Sequence, residues 1–410
     1  MSSQLIMFSN GGAYGAVTNP AASFAGQTAL VTSAPFVQFE CPQAGTIHSL
    51  FVRVDANTSD VNQTVTIRKN GSGDANQVAT ITAGGTGVFV PAANTPFTVA
   101  VGDLIDIAIT SGAGNNNVLY SIFSLIYTIT APNKTIQVVA NKTGGALQMT
   151  SGTSNYTPLI GSLFSSGTSV QTNAGFVERE TVEYTYLRTY SQTNAGTSAA
   201  WVAISTDGAD TALIATITAA TTGEFLNTAT TVSISSGSVV SFRGSNTSNT
   251  GAGTTVHMSM VQVQRNTAWA YVGANNGSSG VFTSATRTVF WPIAGFGTTG
   301  QTTEAITQVT ARARFRTRNM QVNIPANAGG TTVCFRVNSS NAITLPLSSG
   351  QVGTFLDSTQ GPSLVSTDLI NFSIQCTTAG VTGGFTIAGM VIEMASIDTI
   401  PFRTLMGVGI

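Results

Sequence analysis

Val65-Thr-Ile-Arg-Lys-Asn-Gly71 leads into Ala79-Thr-Ile-Thr-Ala-Gly-Gly-Thr-Gly-Val-Phe-Val90, and then into Phe97-Thr-Val-Ala-Val-Gly-Asp-Leu-Ile-Asp-Ile107. Val65, Ile67 and Lys69 share one side of an extended chain and Thr66 and Arg68 the other, the two-residue period of a strand. Phe97, Val99 and Val101 alternate with Thr98 and Ala100 in the same way. Leu104-Ile-Asp-Ile-Ala-Ile109 is more fully apolar, as a strand covered on both faces is. Asn-Gly, Asp-Gly and Gly-Asp pairs punctuate these runs and predict tight turns.

The pattern recurs twice. Trp201-Val-Ala-Ile-Ser-Thr-Asp-Gly208 is followed by Ala215-Thr-Ile-Thr-Ala-Ala-Thr-Thr-Gly-Glu-Phe-Leu226 and Thr231-Val-Ser-Ile-Ser-Ser-Gly-Ser-Val-Val-Ser-Phe242. Val333-Cys-Phe-Arg-Val-Asn-Ser339 is followed by Gln351-Val-Gly-Thr-Phe-Leu-Asp357 and Ser363-Leu-Val-Ser-Thr-Asp-Leu-Ile-Asn-Phe372. A Gly-X-Phe anchor falls at Gly87–Phe89, Gly223–Phe225 and Gly353–Phe355, and a turn follows at Asp103, Ser238 and Asp368. Successive Phe anchors are 136 and 130 residues apart, a domain length and not a solenoid period. Pro158-Leu-Ile-Gly-Ser-Leu-Phe and Pro292-Ile-Ala-Gly-Phe-Gly form a shared leading strand in the second and third copies, with a loose equivalent near Pro20 to Gly26. About eight short strands per copy and no convincing helix predict an all-β chain of three tandem antiparallel jelly-roll-like β-sandwiches. The expected bounds are 1–130 for an N-terminal arm plus the first module, 131–268 for the second and 269–410 for the third.

Through Ile67-Arg-Lys-Asn-Gly71 and Val101-Gly-Asp-Leu104 the first copy resembles the tumour-necrosis-factor-like trimeric jelly rolls, modules common in phage virion proteins. The other copies keep the spacing but lose Arg-Lys, and the second lacks the Asp. Members of that family assemble as trimers, so the resemblance implies that three modules in one chain close into a pseudo-threefold body. The alternative is three sandwiches strung like beads. The connections near 131–150 and 268–285 are short and not Pro-rich, which favours the compact form.

Composition narrows the function. Charged residues are 8% of the 410, against roughly 25% in an ordinary soluble protein. The formal net charge is -1, which argues against a basic nucleic-acid-binding body. The first ten residues lack the basic and apolar regions of a signal peptide, and Val118–Ala131 is too short to span a bilayer, so no membrane role is expected. Cys41, Cys334 and Cys376 are odd in number and read as buried reduced thiols. His48 and His257 sit on separate predicted strands without a nearby acidic orienter, so neither a triad nor a zinc site is expected. Asp103, Asp106, Asp207 and Asp210 read as turn residues before calcium ligands, and Gly84–Gly87 lacks the Lys of a phosphate loop. Seven Glu leave few carboxylates for glycoside hydrolysis. No catalytic residue, metal or cofactor is expected.

The one charge cluster is Ala311-Arg-Ala-Arg-Phe-Arg-Thr-Arg318. On a strand Arg312, Arg314, Arg316 and Arg318 point to one side. The matching segment of the second copy carries Glu178 and Glu180, so these two strands are candidates for joining modules through Arg–carboxylate pairs. A solvated face, contact with an acidic partner protein and, as the weakest fit to a net charge of -1, nucleic acid are the other readings. Trp201, Trp269 and Trp291 with Tyr184, Tyr186 and Tyr190 suit either a core or a sugar-stacking surface. The expected role is a virion protein made in a host cytoplasm. It would be a capsid decoration protein bound to the major capsid or other virion proteins in a large assembly, with residues 1–30 ordering on a neighbour. A receptor-binding or tail-fibre tip recognising glycans is the second reading and an enzyme the third. Assignment from fold is analogy until a site supports it.

Overall fold

The structure is a computed structural model. It describes residues 2–397 except 10–12, 15–20, 23–37, 113–117, 132, 142–146, 150–153, 160, 164–168, 170, 172–173, 247–252, 268, 276–279, 283–286, 294, 297–301 and 377–384. Among the described residues the regular elements are β-strands, apart from one 3₁₀ turn at Glu304–Ile306. No described helix is long and apolar enough to cross a membrane, which says nothing of membrane β-barrels.

The described strands pair within three consecutive stretches, 2–129, 134–264 and 270–396, here called the first, second and third modules. In the first, Ser2–Ser9, Val118–Ile129, Gly45–Asn57 and Gly87–Phe89 lie side by side in that order. The facing sheet runs Ala21–Ala22, Leu104–Ser111, Gln63–Lys69, Ser72–Ile81, and Phe39–Glu40 also pairs with Leu104–Ser111. Taken as eight positions along the chain, the order is 1-8-3-6 in one sheet and 2-7-4-5 in the other, the winding of a jelly roll. The second module repeats it with Lys134–Asn141, Thr254–Gln264, Val182–Asn194 and Gly223–Asn227 facing Ser154–Thr157, Val239–Asn246, Ala200–Thr206 and Ala209–Ile217. The third has Ala270–Asn275, Gly389–Ser396, Phe315–Ile324 and Gly353–Leu364 facing Arg287–Trp291, Leu369–Cys376, Thr331–Val337 and Ser340–Leu347. Alternating apolar residues such as Val65 and Ile67, Val202 and Ile204, or Val333 and Phe335 fill the space between the sheets.

Local chemistry repeats from copy to copy. The hairpin between the fourth and fifth strands turns on two residues of positive φ: Asn70 (51°) and Gly71 (80°), Asp207 (49°) and Gly208 (87°), Asn338 (49°) and Ser339 (63°). That is the type I′ turn, whose twist matches the flanking strands. The first turn residue also fixes the next sheet neighbour. Asn70 Oδ1 accepts the Leu104 N–H at 2.8 Å, Asp207 Oδ1 the Val239 N–H at 2.8 Å, and Asn338 Oδ1 the Leu369 N–H at 2.9 Å. Asp103 and Asp368 accept from Asn70 and Asn338 and cap their own turns by accepting from Ala100 N–H and Val365 N–H. The Ala100 bond holds the Asp103 carboxyl below its ordinary range. The anchor glycines Gly87, Gly223 and Gly353 have φ of 99°, 115° and 115°, which a side chain would resist. Each delivers its Phe opposite the third strand, Phe89 to Val52, Phe225 to Thr189 and Phe355 to Val322. Three residues before each of those partners the third strand bulges around a left-handed residue, Ser49 (φ 62°), Tyr186 (φ 56°) or Asn319 (φ 53°).

One expectation changes. Ser2–Ser9 is not an arm awaiting a neighbour: it pairs antiparallel with Val118–Ile129 inside the first module, because a first strand is needed beside the eighth. Residues 23–37 of the expected arm lie outside the described residues. The leading strands of the second and third copies, Gly161–Leu163 and Gly295–Phe296, add in parallel to the edges of Lys134–Asn141 and Ala270–Asn275. The three thiols are free and buried. Burial pushes the Cys41 thiol up to about 12, leaving it an unreactive apolar filler. Cys334 and Cys376 are on neighbouring strands, but Cys334 faces Ser373 and Cys376 faces Thr331.

Candidate functional site

The first strands of the three modules, Ser2–Ser9, Lys134–Asn141 and Ala270–Asn275, lie against one another. Around them each module sets the outer face of its 1-8-3-6 sheet on the next. Contacts of this head-to-tail kind close into a ring when the rotation is threefold.

The second module docks on the first. Its Ile136 and Met260 belong to the first module's apolar cluster, with Tyr186 packed beside them. Tyr186 donates its hydroxyl to Glu40, and Arg188 Nη1 donates to the Gln38 carbonyl at 2.9 Å. The Arg188 guanidinium, 2% exposed, lies 3.7 Å from Glu40 and 2.7 Å from Glu224. Gln43 donates to Gln262 Oε1 at 3.3 Å.

The third module docks on the second. Gln321 meets the backbone of Val177 twice, Nε2 donating to the carbonyl at 2.8 Å and Oε1 accepting the N–H at 2.9 Å. Tyr271 donates to the Val177 carbonyl at 3.0 Å and reaches Glu178 Oε2 at 3.3 Å, while its ring packs with Phe176 and Val391. Glu178 is 1% exposed and pairs with Arg265 at 2.9 Å. Tyr184 donates to the same carboxylate, and the Arg265 guanidinium sits 4.5 Å from the Tyr271 ring centroid. Burial works against the Arg265 charge, but Glu178 and the tyrosines outweigh it and the guanidinium is held more firmly protonated than usual. Burial, then the Glu178 charge, pushes the Tyr184 and Tyr271 hydroxyls well up, so both remain donors.

The first module docks on the third through carbon. Phe51, Ile122 and Ile126 belong to the third module's apolar core with Val309, Ala311 and Phe315. His48 lies near this joint, its Nδ1 2.8 Å from Ser49 Oγ, and burial with the Arg312 charge holds its pKa below the ordinary value.

The predicted Arg strand is divided. Arg312 has φ of 62° and Arg314 precedes the strand, so only Arg316 and Arg318 stand on Phe315–Ile324. Arg314 and Arg316 are exposed, while the adjacent Phe315 and Thr317 are buried. Arg318 is held by Glu393 at 2.7 Å and stacks 4.1 Å over Trp269. The expected joining of this strand to Glu178 and Glu180 is replaced by other partners, since Arg265 takes Glu178 and lies 3.7 Å from Glu180. Glu178 nevertheless does join modules, through Tyr271. Of the aromatics, Tyr184 and Trp291 are core and Tyr186 is joint. Trp201 and Tyr156 flank Arg243, 5.4 Å and 5.6 Å from its guanidinium, on the second module's 2-7-4-5 sheet. The candidate calcium carboxylates are engaged elsewhere: Asp106 with Arg68 at 2.6 Å, Asp210 with Arg243 at 2.8 Å, and Asp103 and Asp207 in the turns. His257 lies on Thr254–Gln264, and its side chain is outside the described residues. Sequence reading missed Arg188, Arg265, Gln321 and Glu393. No local signal marked them: Arg188, Gln321 and Glu393 stand at outward strand positions and Arg265 just past a strand end, where charges and amides are ordinary.

No protein-family model matches this chain, and no curated protein matches it. Among solved structures, one described as "The Triple Jelly Roll Fold and Turret Assembly in an Archaeal Virus" aligns over 95% of this chain and 91% of that chain, at 13% identity and a TM-score of 0.19.

Proposed function

We propose that this protein is a non-enzymatic virion structural protein, a capsid decoration protein that holds a shell together by contacts with the major capsid or other virion proteins. The observation that carries the reading is the closed ring. The groups at its joints are committed to docking module on module, and exposed apolar side chains such as Val88, Val101, Leu226 and Val352 are left to meet neighbours. A net charge of -1 adds little self-repulsion to resist packing into an assembly. Exposed Arg314 and Arg316 are the proposed contact with an acidic partner surface, where guanidinium and carboxylate pair bidentately.

The second reading, a fibre tip that binds glycans, is favoured by Trp201 and Tyr156 around Arg243, an aromatic and charged face on a sheet exterior. Quantitative mass spectrometry of purified particles separates the two: hundreds of copies per particle are expected for decoration, a handful for a tip. In the same particles Arg314→Ser with Arg316→Ser is expected to weaken docking about tenfold or more, as loss of charge-assisted pairs does, with the melting temperature of the free protein unchanged. Unchanged docking removes the proposed role of these two residues.

A further inference from the structure

One structural position is shared by all three joints and filled differently in each. Phe51, Arg188 and Gln321 each stand two residues after the left-handed bulge residue of the third strand and one before the residue that faces the anchor Phe. Arg188 reaches the Gln38 carbonyl and Glu40 of the first module. Gln321 reaches both backbone groups of Val177 in the second. Glu40 and Val177 are themselves equivalent, each the second residue of the short strand that pairs with the start of the seventh strand. Phe51 enters the apolar core of the third module. The receiving surfaces differ to match: a carboxylate and a carbonyl, an N–H with a carbonyl, and carbon.

We infer that these residues are keys that make each module accept only one of its two sisters, and so set the cyclic order in which the ring closes. Three modules of one fold offer their neighbours nearly the same backbone, so backbone shape alone would let any module dock on any other, within the chain or on a second copy. A wrong pairing of Arg188 or of Phe51 is penalised. Arg188 against the third module's apolar surface loses the Gln38 carbonyl and Glu40 and keeps only Glu224 for a buried charge. Phe51 against the first module strands Glu40 and the Gln38 carbonyl. Either one against Val177 leaves an N–H buried and unmatched. Specificity is a difference of affinities, and these mismatches supply it. The inference rests on the ring and is independent of the virion reading, because it concerns only which module meets which.

The test exchanges keys in the full chain without changing its composition, Phe51→Arg with Arg188→Phe, and separately the milder Arg188→Gln with Gln321→Arg. Light scattering, solution scattering and circular dichroism are read on each. The inference expects strand content to be kept while the chain opens, with a radius of gyration larger by roughly a third, or pairs with a second chain. A closed single chain with wild-type radius in both exchanges overturns it. Loss of strand content in both also overturns it, since the residues would then serve the folding of their own modules and not the choice of neighbour.

Discussion

Glu178→Ala is expected to destabilise the chain by about 3–5 kcal/mol, the cost of leaving a buried charge without its partner. Arg265 would keep only the Glu180 carboxylate, at 3.7 Å, and the Tyr184 hydroxyl would lose its acceptor, while Tyr271 would keep the Val177 carbonyl. The pair itself is not expected to be worth that much. Desolvating two ions costs nearly what their attraction returns, so Glu178→Met combined with Arg265→Met should recover most of the loss. Chemical denaturation of Glu178→Met, Arg265→Met and the double variant forms the cycle that checks this. Equal and additive losses would show that the two groups do not act as a unit. The partly buried pair Arg53–Asp55, with side chains 14% and 19% exposed and still reached by water, is expected to cost less than Glu178→Ala in the same assay.

Phe51→Ala carries the second large effect, about 3–5 kcal/mol, from lost transfer free energy and the cavity left behind. Phe51 is 1% exposed although it lies on the outer face of its own sheet. In an isolated first module it would be a solvent-facing residue, and its truncation would cost little. The size of the loss therefore reports whether the first and third modules are docked. Leu50, which points into the first module's own core, is expected to cost a similar amount in either case and serves as the control.

Much of the fold was legible because it is written in local chemistry. Asn70-Gly71 and Asp207-Gly208 announce type I′ turns, and Gly-X-Phe announces a place in each module where the backbone needs a φ near 100° or above. Repetition at domain spacing then made weak signals count three times. The first strand was misread as an arm because Ser2–Ser9 pairs with a strand more than a hundred residues later, and no local pattern records a partner at that distance. The joints were the least legible part. Alternation told which residues leave the sandwich core, but an outward residue facing a sister module looks the same in sequence as one facing water. Phe51 and Arg188 could be recognised only once the equivalent positions were aligned. The run of four Arg drew attention by its density, yet Arg318 is spent inside its own module and the joint residue that matters for Glu178 is Arg265, a single charge at the end of an apolar strand.

The three sandwiches docked in a closed ring are most directly tested by small-angle X-ray scattering of the purified chain in dilute solution. A compact body of this length is expected to have a radius of gyration of about 22 Å. Three sandwiches strung in a line, each about 14 Å in radius of gyration, would give about 30 Å or more, and that value would contradict the ring.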